Sequence, residues 1–185
     1  MRRRTFVRCL PLALGVLLTV QMTACGGGGG GGGPTAPPPP QPGIVVTPAT
    51  APATGVSIAS GAGSNSTTLI LEIRANSVTD LYGVAFDLRY PSNLLQLVQA
   101  SSGPFLGSPN LQSSPGTTPG TVVVGLSKLG ATTGASGSGV LMTLEFRAIA
   151  GGEGTFSFEQ NTAINSTGGT ITNFGWAAGT VRVTR

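Results

Sequence analysis

The 185-residue sequence contains no histidine. That removes imidazole general acid/base chemistry, Ser-His and Cys-His nucleophile pairs, and imidazole metal sites. Its two cysteines are Cys9 and Cys25, so the chain beyond residue 25 has no thiol for a disulfide or for thiolate chemistry. Charge is scarce, 9% of residues. The ten basic residues include Arg2, Arg3, Arg4 and Arg8, and the remainder only balance the six acidic ones. A neutral body has no electrostatic footprint for nucleic acid, so no nucleic-acid partner is expected. The six carboxylates are Glu72, Asp80, Asp87, Glu145, Glu153 and Glu159. A glycosidase needs two of them a fixed distance apart in a cleft, yet Glu72, Asp87 and Glu145 fall on solvent-facing positions of expected strands. No Asp-x-Asp-x-Asp-Gly loop is present to hold calcium. The sequence therefore assigns no catalytic residue, no metal site and no cofactor, and it reads as a non-enzyme.

What is present is alternation. From Val84 the stretch Leu81–Pro91 places Val84, Phe86, Leu88 and Tyr90 on one side and Ala85, Asp87 and Arg89 on the other. A period of two with one apolar face predicts a half-buried β-strand. Met142, Leu144, Phe146 and Ala148 alternate in the same way with Thr143, Glu145 and Arg147. Two such faces need a facing layer, and a second sheet supplies it. Shorter strands are expected at Val56–Ala59, Thr67–Ala75, Thr121–Ser127, Thr155–Glu159 and Gly179–Thr184. Leu94–Ala100 suits a strand or one helical turn. Asn76–Asp80 reads as a turn, Ser101–Gly120 as a long loop anchored by Phe105, Leu106 and Leu111, and Gly130–Gly139 as a small-residue loop. No segment carries a helical period. The pattern predicts an all-β jelly-roll sandwich of about eight or nine strands over residues 55–185.

The first 54 residues read differently. Residues 1–25 have the form of an export signal, a basic n-region followed by the apolar run Leu10–Val20, which is short for a bilayer span. Met22-Thr23-Ala24-Cys25 resembles the bacterial lipobox, which makes Cys25 the candidate lipidation site; an ordinary cleaved signal is the alternative. Arg3-Arg4-Thr5-Phe6-Val7 also loosely resembles a twin-arginine signal. Gly26–Gly33 and the proline-rich Pro34–Pro42 then form a disordered linker running to residue 54, with Pro48 and Pro52 arguing against a strand at Val45-Val46. Glycine coil followed by polyproline II spans on the order of 40 Å. The expected location is the cell envelope, with membrane contact through the lipid anchor alone.

The order of motifs resembles the cohesin domain, the jelly-roll module that binds dockerins in cellulosomes. Gly83, Phe86, Leu88, Tyr90 and Pro91 match its Gly-x-x-Phe-x-Leu-x-Tyr-Asp-Pro strand, without the acid before the proline. Leu94, Leu95 and Val98 match the Leu-rich segment that follows. Gly139, Leu141, Leu144 and Phe146 match the later strand, and Gly179, Thr180 and Val181 the last one. The resemblance implies a non-catalytic module binding a dockerin-like protein, with calcium on the partner and a link to polysaccharide breakdown. It also implies a flat sheet face as the docking surface, for which Asp87, Arg89, Val123, Ser127 and Lys128 are the candidates. The fold is related to carbohydrate-binding modules, so direct polysaccharide contact is the alternative, with Trp176 and Tyr82 as candidate stacking rings. Trp176, between glycine-rich flanks, can be presented or tucked.

Overall fold

The computed structural model describes residues 41–130 and 133–185. The export signal, Cys25 and the Gly/Pro tract up to residue 40 lie outside the described residues. Ten strands are formed: β1 (Gly43–Pro48), β2 (Gly55–Ser60), β3 (Thr68–Arg89), β4 (Leu95–Ser102), β5 (Asn110–Pro115), β6 (Thr121–Ser127), β7 (Ala135–Ala148), β8 (Gly152–Asn165), β9 (Gly175–Ala177) and β10 (Gly179–Thr184). No helix occurs among the described residues. The architecture is the all-β jelly-roll sandwich that the alternation predicts.

The expected organising strand is longer than its alternating core. It is the second half of β3, a 22-residue strand that serves both layers. Residues Thr68–Asn76 pair with β2 on one side and β7 on the other. Residues Leu81–Arg89 pair instead with β6 and β8. One layer is thus ordered β9-β2-β3-β7-β4. The other is ordered β5-β6-β3-β8 and continues through the first half of β8 to β10 and β1.

Residues 76–80, expected as a turn, are the bulged crossing between these layers. Ser77 (φ 43°) and Asp80 (φ 53°) take up the left-handed region, and the β7 register shifts on either side of Val78. Bulges of this kind bend a strand and leave backbone groups without ladder partners. Here serines of β7 replace those partners. The Ser77 amide donates to Ser138 Oγ at 2.8 Å and the Asp80 amide to Ser136 Oγ at 3.0 Å. Part of the expected small-residue loop at 130–139 is therefore the start of β7, with its hydroxyls committed to the bend.

One core fills the space between the layers. Leu69, Leu71 and Ile73 of β3, with Met142, Leu144 and Phe146 of β7, are fully buried against Phe86, Leu88, Val122, Val124 and Leu126. Tyr90 stands half-buried at the margin, its ring 5.0 Å from that of Phe146. Large buried aliphatics and aromatics of this kind contribute about 1.5–3 kcal/mol each by area removed from water.

Two differences from the sequence expectation concern edges. The segment taken as the end of the linker contains β1, which pairs with β10 along its whole length. Pro48 is its last residue, where a missing amide costs nothing, and Ile44 and Val46 lie against the core; a terminal proline is compatible with an edge strand. The long loop at 101–120 contains β5, whose sequence Asn-Leu-Gln-Ser-Ser-Pro is mostly exposed. Leu94–Ala100 resolves to β4 rather than a helical turn, and Phe105 and Leu106 do anchor the loop after it.

Candidate functional site

The outward side of β5-β6-β3-β8 follows directly from the parity of the buried residues. With Val84, Phe86 and Leu88 turned inward, Gly83, Ala85, Asp87 and Arg89 point outward. The register sets these four opposite Ser127, Gly125, Val123 and Thr121 of β6. On the other side Asp87 stands opposite Glu159 of β8, Arg89 opposite Ser157, and Ala85 opposite Thr162. Beyond β6, the β5 residues Asn110, Gln112 and Ser114 continue the rows from Ser127, Gly125 and Val123. The result is a broad four-stranded face of short polar side chains with few charges.

Of the docking residues expected from the sequence, Asp87, Arg89, Val123 and Ser127 are brought together here. Val123 is 41% exposed, an apolar side chain near the middle of the face. Lys128 follows immediately after β6, held at the end of the sheet by its amide, which donates to the Tyr82 carbonyl at 2.9 Å. Sequence reasoning did not find Glu159. Its position across from Asp87 becomes visible only with the β3–β8 register, because the two residues are 72 positions apart in the chain. Arg89 Nε donates to Glu159 Oε1 at 2.6 Å, with both side chains about two-fifths exposed. An ion pair that open to solvent contributes about 0–1 kcal/mol, so it arranges the face more than it stabilises the fold.

The face is not level. Gly83, Ala85 and Gly125 are clustered on adjacent strands and raise no bulk. They form the floor of a hollow of about 260 Å³ that is also lined by Ile164, Gln112 and Ser127. A Cβ placed on Gly125 would meet nothing within 4 Å. Glycine is thus not demanded there by packing, and its effect is to keep the hollow open.

The aromatic candidates are arranged differently. Trp176 is tucked. Its ring centroid lies 5.7 Å from Phe86, 5.4 Å from Phe158 and 5.4 Å from Phe174, a cluster at the margin of the core in which offset and tilted contacts are favourable. Tyr82 is half-buried and has no ring contact with that cluster. None of the large hydrophobic side chains that are exposed among the described residues is aromatic; they are Val45, Val98, Val123, Leu129 and Ile149.

The Asp80 carboxylate is held below its ordinary range. The Ser166 hydroxyl donates to Oδ2 at 2.8 Å, the Gly134 amide to Oδ1 at 2.7 Å, and the Ser166 amide to Oδ2 at 3.3 Å. These donors favour the charged form and lower its pKa below 3.8, the Ser166 hydroxyl most strongly. The group ties the β3 bend to the ends of β7 and β8. It is a structural clamp, away from the outward rows of the face. No group of three or more metal-ligating side chains is assembled among the described residues.

Comparison with known proteins gives a consistent picture. The Cohesin domain family model matches residues 54–183. Among solved structures, the chain is similar to a non-cellulosomal cohesin from the hyperthermophilic archaeon Archaeoglobus fulgidus, at 14% identity and a TM-score of 0.56, covering 77% of this chain and 92% of that one. It is also similar to the sixth cohesin of scaffoldin B from Acetivibrio cellulolyticus, solved in complex with a mutant Cel5 dockerin. There the identity is 17% and the TM-score 0.59, over 71% of this chain and 99% of that one. A type II cohesin of the adaptor scaffoldin ScaA from the same organism matches at 17% identity and a TM-score of 0.58, covering 71% and 90%. No curated protein sequence matches the chain. At these identities the structures speak for the fold, while the family model, spanning most of the chain, speaks for descent: the chain belongs to the cohesin domain family.

Proposed function

We propose that this chain is a non-catalytic binding module that docks a dockerin-like protein on the outward face of β5-β6-β3-β8 and displays that face from the cell envelope through a lipid on Cys25. The observation that carries the reading is the face itself. It is broad, has Val123 exposed at its middle, and gathers Asp87, Arg89, Val123 and Ser127 with Lys128 at its end. An exposed apolar residue ringed by polar ones is the anatomy of a protein interface core and rim. Cohesins similar to this chain have been solved in complex with dockerins, which supports the same partner class here. Calcium, on this reading, belongs to the partner. Direct sugar binding is disfavoured by the tucking of Trp176 and by the absence of aromatics from the exposed large hydrophobics among the described residues, since stacking on a pyranose face needs an exposed ring.

The test is a pull-down from extract of the source cells with the mature protein, with and without a calcium chelator, run beside a glycan array. Capture of a protein that the chelator abolishes supports the reading, because loops organised around the ion unfold without it. Glycan signal lost on Trp176→Ala, with no protein captured, would falsify it in favour of the sugar. Envelope display is tested separately. Two or more acyl chains anchor stably, so Cys25→Ala should move the protein from the detergent phase to the aqueous phase. Identical partitioning of variant and wild type excludes the anchor.

A further inference from the structure

β1 ends the second layer, and among the described residues it pairs with β10 alone. Its other edge is a row of backbone groups without a ladder partner. Such an edge is a template for another strand, and a charge or a bulge is the usual protection. β4 has a bulge between Leu97 and Gln99, β5 is polar and mostly exposed, and β9 is three residues long. β1, Gly-Ile-Val-Val-Thr-Pro, has neither charge nor bulge. Only proline limits it, and the prolines are placed symmetrically. Pro42 lies three residues before Val45 and Pro48 three residues after it.

The register decides which backbone groups face the open edge. The Ala49 amide donates to the Ala178 carbonyl at 2.7 Å, directly opposite it in the continuation of the β1–β10 register. Hydrogen-bonded and non-hydrogen-bonded pairs alternate along an antiparallel ladder. Gly43, Val45 and Thr47 thus direct their N–H and C=O groups to β10. Ile44 and Val46 direct theirs to the open edge. Pro42 and Pro48 fall on the same alternation as Ile44 and Val46 but have no N–H to offer.

We infer that the partner for this edge is a second copy of the chain, joined antiparallel, β1 to β1, about a two-fold axis through Val45. In that register Ile44 faces Val46 of the second copy on both sides of the axis, and the N–H and C=O groups of both residues are satisfied. Pro42 faces Pro48, so the residues without an N–H oppose one another at the ends of the ladder. Moving the axis to residue 44 or 46 sets a proline opposite Val46 or Ile44 and leaves that residue's C=O without a donor. The side chains agree. Val45, 60% exposed, meets its own copy on the outward side, while Ile44 meets Val46 on the core side. Across the joint the outward row reads Glu153, Arg182, Val45, Val45, Arg182, Glu153. Each Arg182 lies 3.5 Å from its own Glu153, and no like charges are adjacent. The contact is isologous and occupies both open edges, so it closes at two copies. It covers neither outward sheet face and is independent of what the proposed docking face binds.

The experiment is disulfide trapping with the purified full chain under a mild oxidant, read on a non-reducing gel, with the wild type as control for its own cysteines. On the two-fold axis, Val45→Cys stands in a non-hydrogen-bonded pair whose Cα atoms are about 4.5 Å apart, within the span of a disulfide. Thr47→Cys, on the same side of the sheet, stands about 14 Å from its copy at ~3.4 Å per residue. Val45→Cys should give a covalent dimer and Thr47→Cys should not. Adding Val46→Pro to Val45→Cys removes an open-edge N–H without touching the β10 ladder, and should cut the dimer roughly tenfold. Its melting temperature shows whether it stays folded. Sedimentation of the wild type should show a concentration-dependent dimer that Val45→Lys abolishes, because two lysines would meet on the axis. If Val46→Pro unfolds, the Val45→Lys comparison decides. Equal trapping at both positions, trapping that ignores a folded Val46→Pro, a dimer that survives Val45→Lys, or a wild type that sediments as a monomer at every concentration overturns the inference.

Discussion

Asp80 shows how a single residue can look functional and be structural. A carboxylate holding three donors from two other segments has the makings of a site, yet every donor is a backbone amide or a serine hydroxyl at the β3 bend. Because its folded pKa is depressed, its contribution to stability is complete above the unfolded value of 3.8 and is lost as the pH falls through the lower folded value. Asp80→Asn should therefore melt at a lower temperature than wild type at neutral pH. The two melting curves should converge as the pH is taken below about 4. A gap that persists unchanged to pH 2, measured by circular dichroism, would mean that the charge is not what the clamp uses. Residues of this kind are poorly legible in a sequence. Nothing near Asp80 in the chain announces that Ser166 and Gly134 will face it. Trp176 was left open for the same reason, since its flanking glycines fit exposure and burial equally, and only Phe86 and Phe158 arriving from β3 and β8 decide between them.

At the level of elements, legibility follows burial on one face. β3, β6 and β7 alternate because one side of each meets the core, and their inward residues Val84, Phe86, Val122, Val124, Leu144 and Phe146 could be named from periodicity alone. The outward residues proposed for docking came with them, since fixing one face of a strand fixes the other. β5 has no such signal. It is an edge strand with solvent on most of its surface, and its hydroxyl and amide side chains read as loop. β9 is three residues long, too short for any period to show. β1 was obscured by Pro48, which weighs against a strand interior but not against its end. The pairing of β1 with β10 makes a prediction of its own. Val181 and Val183 of β10 are buried, and Ile44 and Val46 of β1 pack beside the core. Deleting residues 43–48, with the preceding chain joined to Ala49, should cost on the order of 3 kcal/mol in urea denaturation, from two partly buried aliphatic side chains and a lost ladder. A loss below about 1 kcal/mol would show that β1 adds little to the sheet.

For the whole molecule, the sandwich divides its surface between two unlike sheet faces. On the β9-β2-β3-β7-β4 side, the outward residues include the long charged side chains of Glu72, Arg74, Glu145 and Arg147, two of which pair with each other. On the β5-β6-β3-β8 side most are short, the Arg89–Glu159 pair apart, with a hollow, Val123 exposed and Asp87 without a side-chain hydrogen bond or ion pair among the described residues. Long solvated charges keep a face free of partners, whereas short side chains lose little rotamer freedom when covered. This asymmetry supports the proposed choice of side, and it emerges only once the strands are assigned to layers. The proposed function confines binding to the second side. It is tested most directly by placing the same bulky charge on each face and measuring capture of the partner protein. Val123→Arg stands in the middle of the proposed docking face, and Thr143→Arg stands on the other side. Both should fold, as judged by their melting temperatures. Val123→Arg should weaken capture by more than tenfold, the order expected for a charge buried without a partner at an interface core, while Thr143→Arg should leave it unchanged. Full capture by Val123→Arg, or loss with Thr143→Arg alone, would contradict it.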